Sequence, residues 1–157
     1  MDAPDKEYAG LAVRVGAFAI DAAIFVPVAL AMEWLVYGER YFQLVGSLGP
    51  SQFLGFADFL VSVVLPLLWT VGLWMAYGGT PGKRLLGLRV VDARRGDHLG
   101  VLPALVRYLL YGPSLVVFGF GFLWVLADSR RRGWHDIVAG SVVIRERRTV
   151  EPVRFDK

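Results

Sequence analysis

A largely apolar run of about 28 residues, Gly10 to Tyr37, constrains this chain more than any other feature, because Arg14 and Asp21 stand inside it. About 20 apolar residues suffice to cross a bilayer as a helix, so the run can span with some tilt. Charges inside such a segment are costly and face protein or a water-filled path. Arg14 and Asp21 are two helical turns apart, so they project from nearly the same face, about 10 Å from each other. Phe18 and Phe25 share that face, and Ala12, Gly16, Ala19 and Ala23 form a smooth opposite stripe that permits close approach of another helix. Arg14 can snorkel toward headgroups from the start of the segment. Asp21 is too short for that and calls for a positive partner, a hydrogen-bonding cage or a proton.

Composition agrees with a membrane protein. The chain has 157 residues, 55% of them hydrophobic, and a mean hydropathy of +0.50, values foreign to soluble domains. It is the size of one domain, residues 1–157. The net charge of +3 is unevenly placed, a distribution that sets membrane orientation rather than advertising nucleic acid. Without cysteine, disulfides, thiolate metal sites and cysteine nucleophiles are excluded. The N-terminal residues MDAPDKEYAG are acidic, and the apolar run exceeds a signal peptide's core, so the run reads as a retained anchor.

Gly38 to Ser51 is a polar loop punctuated by Gly46, Gly49 and Pro50. A second apolar run, about 53–77, contains Asp58 near its start, expected at the interface in water, and Pro66 near its middle, expected to kink the helix. The loop 78–100 opens with Gly78-Gly79-Thr80-Pro81-Gly82-Lys83-Arg84. It is not a phosphate-binding loop, since Tyr77 stands where the first glycine belongs and Arg84 follows Lys83. Leu86 to Val91 has strand character, and Ala93 to Asp97 reads as a tight turn. Lys83, Arg84, Arg89, Arg94 and Arg95 place this loop in the cytoplasm by the positive-inside rule.

The third apolar region, 101–127, has Arg107 near one end and Arg130, Arg131 and Arg132 beyond the other. A single crossing would leave the basic tail, 128–157, outside. Breaks at Gly112-Pro113 and Gly119-Phe120-Gly121 instead suggest two short helices, about Pro103 to Val117 and Gly119 to Asp128, as a re-entrant or shallow hairpin. In the tail, Ser141 to Ile144 is strand-like and needs a partner, the obvious one being Leu86 to Val91. The fold class expected is therefore an all-α membrane bundle: two full transmembrane helices, a helical hairpin, and a small cytoplasmic strand pairing. Both termini are expected in the cytoplasm, as in a multi-pass protein of the cell membrane.

Arg14 with Asp21, then Thr80-Pro81-Gly82-Lys83-Arg84-Leu85-Leu86-Gly87-Leu88-Arg89-Val90-Val91-Asp92, Arg107, and Arg131-Arg132-Gly133-Trp134-His135-Asp136-Ile137-Val138-Ala139-Gly140-Ser141-Val142-Val143 resemble the RDD family of small membrane proteins. The family takes its name from one arginine and two aspartates. Arg14 and Asp21 match the first two, and the second aspartate is Asp136 or its rival Asp92. Ser141 stands where threonine is common and Trp134 where leucine is common. The resemblance covers nearly the whole chain. It implies a fold more than an activity: transport of unknown ligands has been suggested for the family, and cation/proton antiport attributed to some members.

No nucleophile–base set and no metal-ligand spacing stands out, so neither an enzyme, a cofactor nor a metal is expected. His98 lies in a polar turn and reads as solvated. His135 and Asp136, as neighbours, do not share a helical face and read as tying the tail to the basic loop. Basic residues near a bilayer attract anionic headgroups, at about 1 kcal/mol each. Two functions remain, and a transport-related module is the one expected. Asp21, tuned by Arg14, could carry protons or cations, which in so small a chain requires an oligomer. Alternatively, the Arg/Asp pair is structural and the chain is an assembly or adaptor module that packs against itself or a membrane partner.

Overall fold

The computed structural model describes residues 7–47, 53–117 and 119–146. The acidic residues 1–6, Gly49 and Pro50, and Arg147 and Arg148 lie outside the described residues. Two apolar helices dominate. α1 runs Leu11–Tyr37 and continues through a short 3-10 turn into α2, Tyr41–Ser47. The second helix rises through α3 (Phe56–Phe59) and a π turn (Leu60–Val64) into α4 (Leu65–Tyr77), ending at a left-handed Gly78. Both are long and apolar enough to cross a membrane.

The π turn is the physical answer to Pro66. With no N–H, Pro66 cannot bond the Ser62 carbonyl; the helix widens ahead of it, and the Leu65 N–H reaches back five residues to the Leu60 carbonyl. The expected disturbance at Pro66 thus takes the form of a bulge in a helix that runs from Phe56 to Tyr77.

The third apolar region bends at Gly119, one of the two expected breaks, while the other, Gly112-Pro113, falls inside a helix, Tyr111–Val116. α6 (Val101–Leu109) and α7 (Tyr111–Val116) lead to α8 (Phe120–Leu123) and a 3-10 turn, Trp124–Leu126, with a bend of 113°. Gly119 sits at the bend with φ +73°. Gly121 lies so close to Ser114 that any Cβ there would collide with it.

A sheet closes one end. β1 (Glu7–Tyr8), β2 (Leu88–Asp92) and β3 (Ser141–Arg145) lie in the order β1–β3–β2, all antiparallel. Val90 faces Val143, and Asp92 faces Ser141. The expected pairing of the loop with the tail is present, and a third strand from before α1 joins it. The core lies beneath this sheet: Ala17 of α1, Val71 and Trp74 of α4, Ala104 of α6, and Leu88, Val90 and Val143 of the strands are buried together. Elsewhere the helix flanks are uncovered, with Phe18, Leu35, Leu68, Leu102 and Val116 exposed. The buried arginines are therefore gathered at the sheet end, with apolar surface along the rods.

Candidate functional site

The buried centre of the sheet end is Asp136, on α9 (Trp134–Val138). As the third residue of a short helix it accepts the Gly133 N–H at 2.9 Å, closing the helix start. The same carboxylate takes Arg14 Nη1 at 2.5 Å and also Arg107 Nη1. Arg14 completes its own fan by donating to the Ala9 carbonyl (3.1 Å) and the Arg131 carbonyl (2.6 Å). Arg131 holds φ +50°, an uncommon conformation for a side-chain-bearing residue, and its carbonyl is the one aimed at Arg14. Arg107 also donates to Ser141 Oγ at 2.6 Å and lies over the buried Trp74 ring, 5.0 Å from its centroid. One carboxylate thus pairs with two guanidiniums and joins α1, α6 and α9, with Arg107 extending the link to β3 through Ser141.

Asp21 belongs to a second, separate cluster. Thr80 Oγ1 donates to Asp21 Oδ2 at 2.5 Å, and the Gly82 N–H donates to Oδ1 at 2.7 Å. Thr80 precedes α5 (Pro81–Leu85), whose first residue, Pro81, has no N–H. The free N–H of Gly82 is therefore satisfied by a carboxylate from another helix rather than by Thr80 itself. This requires α5 to lie against α1: a Cβ on Gly82 would run into the Ala17 carbonyl oxygen and the Asp21 carboxyl. Lys83 Nζ lies over Trp74 at 5.6 Å from the ring centroid.

These contacts revise several expectations. Arg14 pairs with Asp136 rather than with Asp21, because a two-turn spacing leaves the helix neighbours too far apart to bond. Asp136 therefore ties the tail to α1 and α6, not to the basic loop. Asp92 instead accepts the N–H groups of Arg94 and Arg95 at 2.8 and 2.9 Å in the strand turn, which hold its carboxyl below the usual range. The face of α1 that packs closely is that of Ala17, while Ala12, Ala19 and Ala23 are exposed. His98 is partly buried and bonded to Arg89 Nη2 (2.8 Å) and to the Met75 carbonyl (3.1 Å) rather than solvated.

At the other end of α1 lie two carboxyl groups, Asp58, expected at the interface, and Glu33, which the sequence patterns do not single out. Glu33, 1% exposed, stands near Asp58, which is 7% exposed rather than in water. Leu54 N–H and Ser62 Oγ donate to the two Asp58 oxygens at 2.8 and 3.0 Å, and the Asp58 N–H donates to the Tyr37 hydroxyl at 3.3 Å. The available signal was Glu33 itself, a carboxylate in the last turns of the first apolar run. Among the described residues no group of three or more His, Cys, Asp or Glu could hold a metal.

His135 sits beside Asp136, 3% exposed, its ring against Tyr111 and Phe122 at 4.7 and 5.0 Å. Burial, reinforced by the Arg107 charge, pushes its pKa down to about 3. Burial alone would push the Asp136 carboxyl up, but Arg107 and Arg14 together hold it below the usual range. The ring is thus neutral and the carboxylate ionised when folded. The unfolded histidine titrates near 6.5. Its contribution is complete above that pH and is lost as pH falls from about 6.5 toward 3, by about 1.4 kcal/mol per pH unit at most. Asp136 adds a loss of the same sign below about 4. Unfolding followed between pH 7 and 5 should show this decline, and His135→Gln should flatten it.

The fold and these clusters define a small protein of apolar helices with a polar cap locked by buried arginine–aspartate contacts. The chain belongs to the RDD family, whose sequence pattern matches residues 8–140. It is 27% identical over 140 residues to the uncharacterized protein YckC of Bacillus subtilis, covering 86% of this chain and 83% of that one. With the uncharacterized protein YxaI of the same organism it is 34% identical over 87 residues, 54% of this chain and 56% of the relative. The human protein FAM8A1 is 31% identical over 86 residues, 46% of this chain and 21% of its own length. No solved structure matches the chain.

Proposed function

We propose that this chain is a non-enzymatic module of the cell membrane that acts by assembly, through its uncovered helix flanks, with a second copy or another membrane protein. The observation that carries this reading is the saturation of the motif residues. Asp136 and Asp21 each have both oxygens taken by protein donors, so they serve as fasteners rather than as open carriers. The flanks left apolar along α1 and α4 are the surfaces available to lipid or a partner.

The orientation that fits has both termini, the loop and the tail in the cytoplasm. Hydrogen bonding of β1, β2 and β3 in one sheet supports it, since it keeps the segments before α1, after α4 and after α9 on one side. Arg84, Arg89, Arg131 and Arg145 gather at that end, where anionic headgroups are the natural counter-charge. Movement of protons or cations through an oligomer is the second reading, favoured by the separate acidic pair Glu33 and Asp58.

Reconstitution tests the two together. The assembly reading expects dimers or larger species in nanodiscs. It also expects Asp21→Asn to lower stability, by about 1–3 kcal/mol for a buried group left without its partner, with any proton flux falling only as folded protein falls. A monomer at all concentrations would remove self-assembly and leave only another membrane protein as partner, and a stable Asp21→Asn protein that has lost flux would overturn the reading.

A further inference from the structure

The Glu33–Asp58 contact lies nineteen residues along α1 from Arg14, about 28 Å away and close to the thickness of a bilayer's hydrocarbon core. Asp58 has donors for both oxygens, from Leu54 and Ser62. Glu33 has none: both of its oxygens are buried and without a hydrogen-bond donor among the described residues. Its carboxyl neighbour is Asp58, near enough for a hydrogen bond once a proton lies between them. The remaining titratable groups facing the pair are Tyr37, whose hydroxyl accepts the Asp58 N–H, and Tyr41, against Glu33. No arginine, lysine or histidine forms an ion pair with either carboxyl among the described residues.

A buried ionised carboxylate with neither donor nor counter-charge is not a stable arrangement, and two of them in contact are less so. We propose that Glu33 and Asp58 form a proton-binding site, one proton being held between the two carboxyl groups. The proton supplies the donor that Glu33 otherwise lacks and removes the like-charge repulsion, as in other carboxyl dyads. Leu54 and Ser62 already donate to Asp58, so Glu33 is the group that carries the proton toward it. A metal ion fits less well, because among the described residues no third carboxylate or histidine joins these two. Loss of the shared proton sets two carboxylates against each other between α1 and the start of the second helix. The inference stands whether or not the module assembles.

The test is infrared spectroscopy of the whole protein in nanodiscs, reading the carbonyl band of a protonated carboxylic acid as pH rises from neutral. The wild type should show one such group per chain at pH 7, lost at higher pH together with thermal stability. Glu33→Gln places a neutral amide donor on Asp58; it should lack the band and keep its stability over the same rise. Asp58→Asn is the second variant, also expected to lack the band. Absence of a protonated carboxyl from the wild type at pH 7, or a band unchanged in both variants, would overturn the proposal. So would stabilisation by sodium over choline that depends on Glu33, since the occupant would then be a metal cation.

Discussion

Asp136→Ala should leave little folded protein. It strips the carboxylate from Arg107, which is 1% exposed, and from Arg14 at the same time. Removing one partner of a buried ion pair costs about 3–5 kcal/mol, and here two cations and the Gly133 N–H lose their acceptor together. A domain's whole stability is about 5–15 kcal/mol, so the loss is comparable to the fold itself. Asp136→Asn should cost less and leave measurable folded protein, because the amide loses the charge but keeps the shape and an acceptor oxygen. Asp92→Ala is the contrast: its carboxyl organises an exposed turn, and its loss should cost about 1 kcal/mol, as for other local caps. Unfolding in mixed micelles, or the folded fraction recovered in mild detergent, ranks the three. An Asp92 variant weaker than the Asp136 variants would reverse the roles assigned to the two aspartates.

Gly82→Val should be the second most damaging change. The neighbours of a side chain there are the Ala17 carbonyl and the Asp21 carboxyl, neither of which is the yielding end of a long side chain. Overpacking costs about 1–3 kcal/mol where side chains can adjust, and moving α5 off α1 also breaks the Thr80 and Gly82 bonds to Asp21. Gly72→Ala, in α4 with nothing within 4 Å of the new Cβ, should be near neutral. Thermal stability of the two purified variants in one detergent gives the comparison, and equal behaviour would remove the close approach of α1 and α5 from the account.

Much of this architecture was legible in the sequence because it rests on local signals. Apolar length marked the two long helices, Gly119 and Gly121 marked the break, and short β-branched runs marked β2 and β3. What escaped is non-local or too small to have a period. β1 is two residues long and is held by hydrogen bonds to β3, more than a hundred residues away. Arg14 and Asp21 do share a helix, but their partners come from residues 136 and 80–82, and no spacing rule reports contacts of that separation. Hydropathy also masked Glu33 and Asp58, since single carboxylates near the ends of apolar runs read as interfacial. Only the packing of α1 against α3 and the π turn reveals that both are covered.

The central claim is that Arg14 is fastened to Asp136 and not to its helix neighbour Asp21. Two double-mutant cycles on equilibrium stability test it directly: Arg14→Gln with Asp136→Asn, and Arg14→Gln with Asp21→Asn. Residues in contact couple by about 0.5–3 kcal/mol, and independent sites add within about 0.5 kcal/mol. The account predicts strong coupling in the first cycle and additivity in the second. Additivity between Arg14 and Asp136, with strong coupling between Arg14 and Asp21, would contradict it.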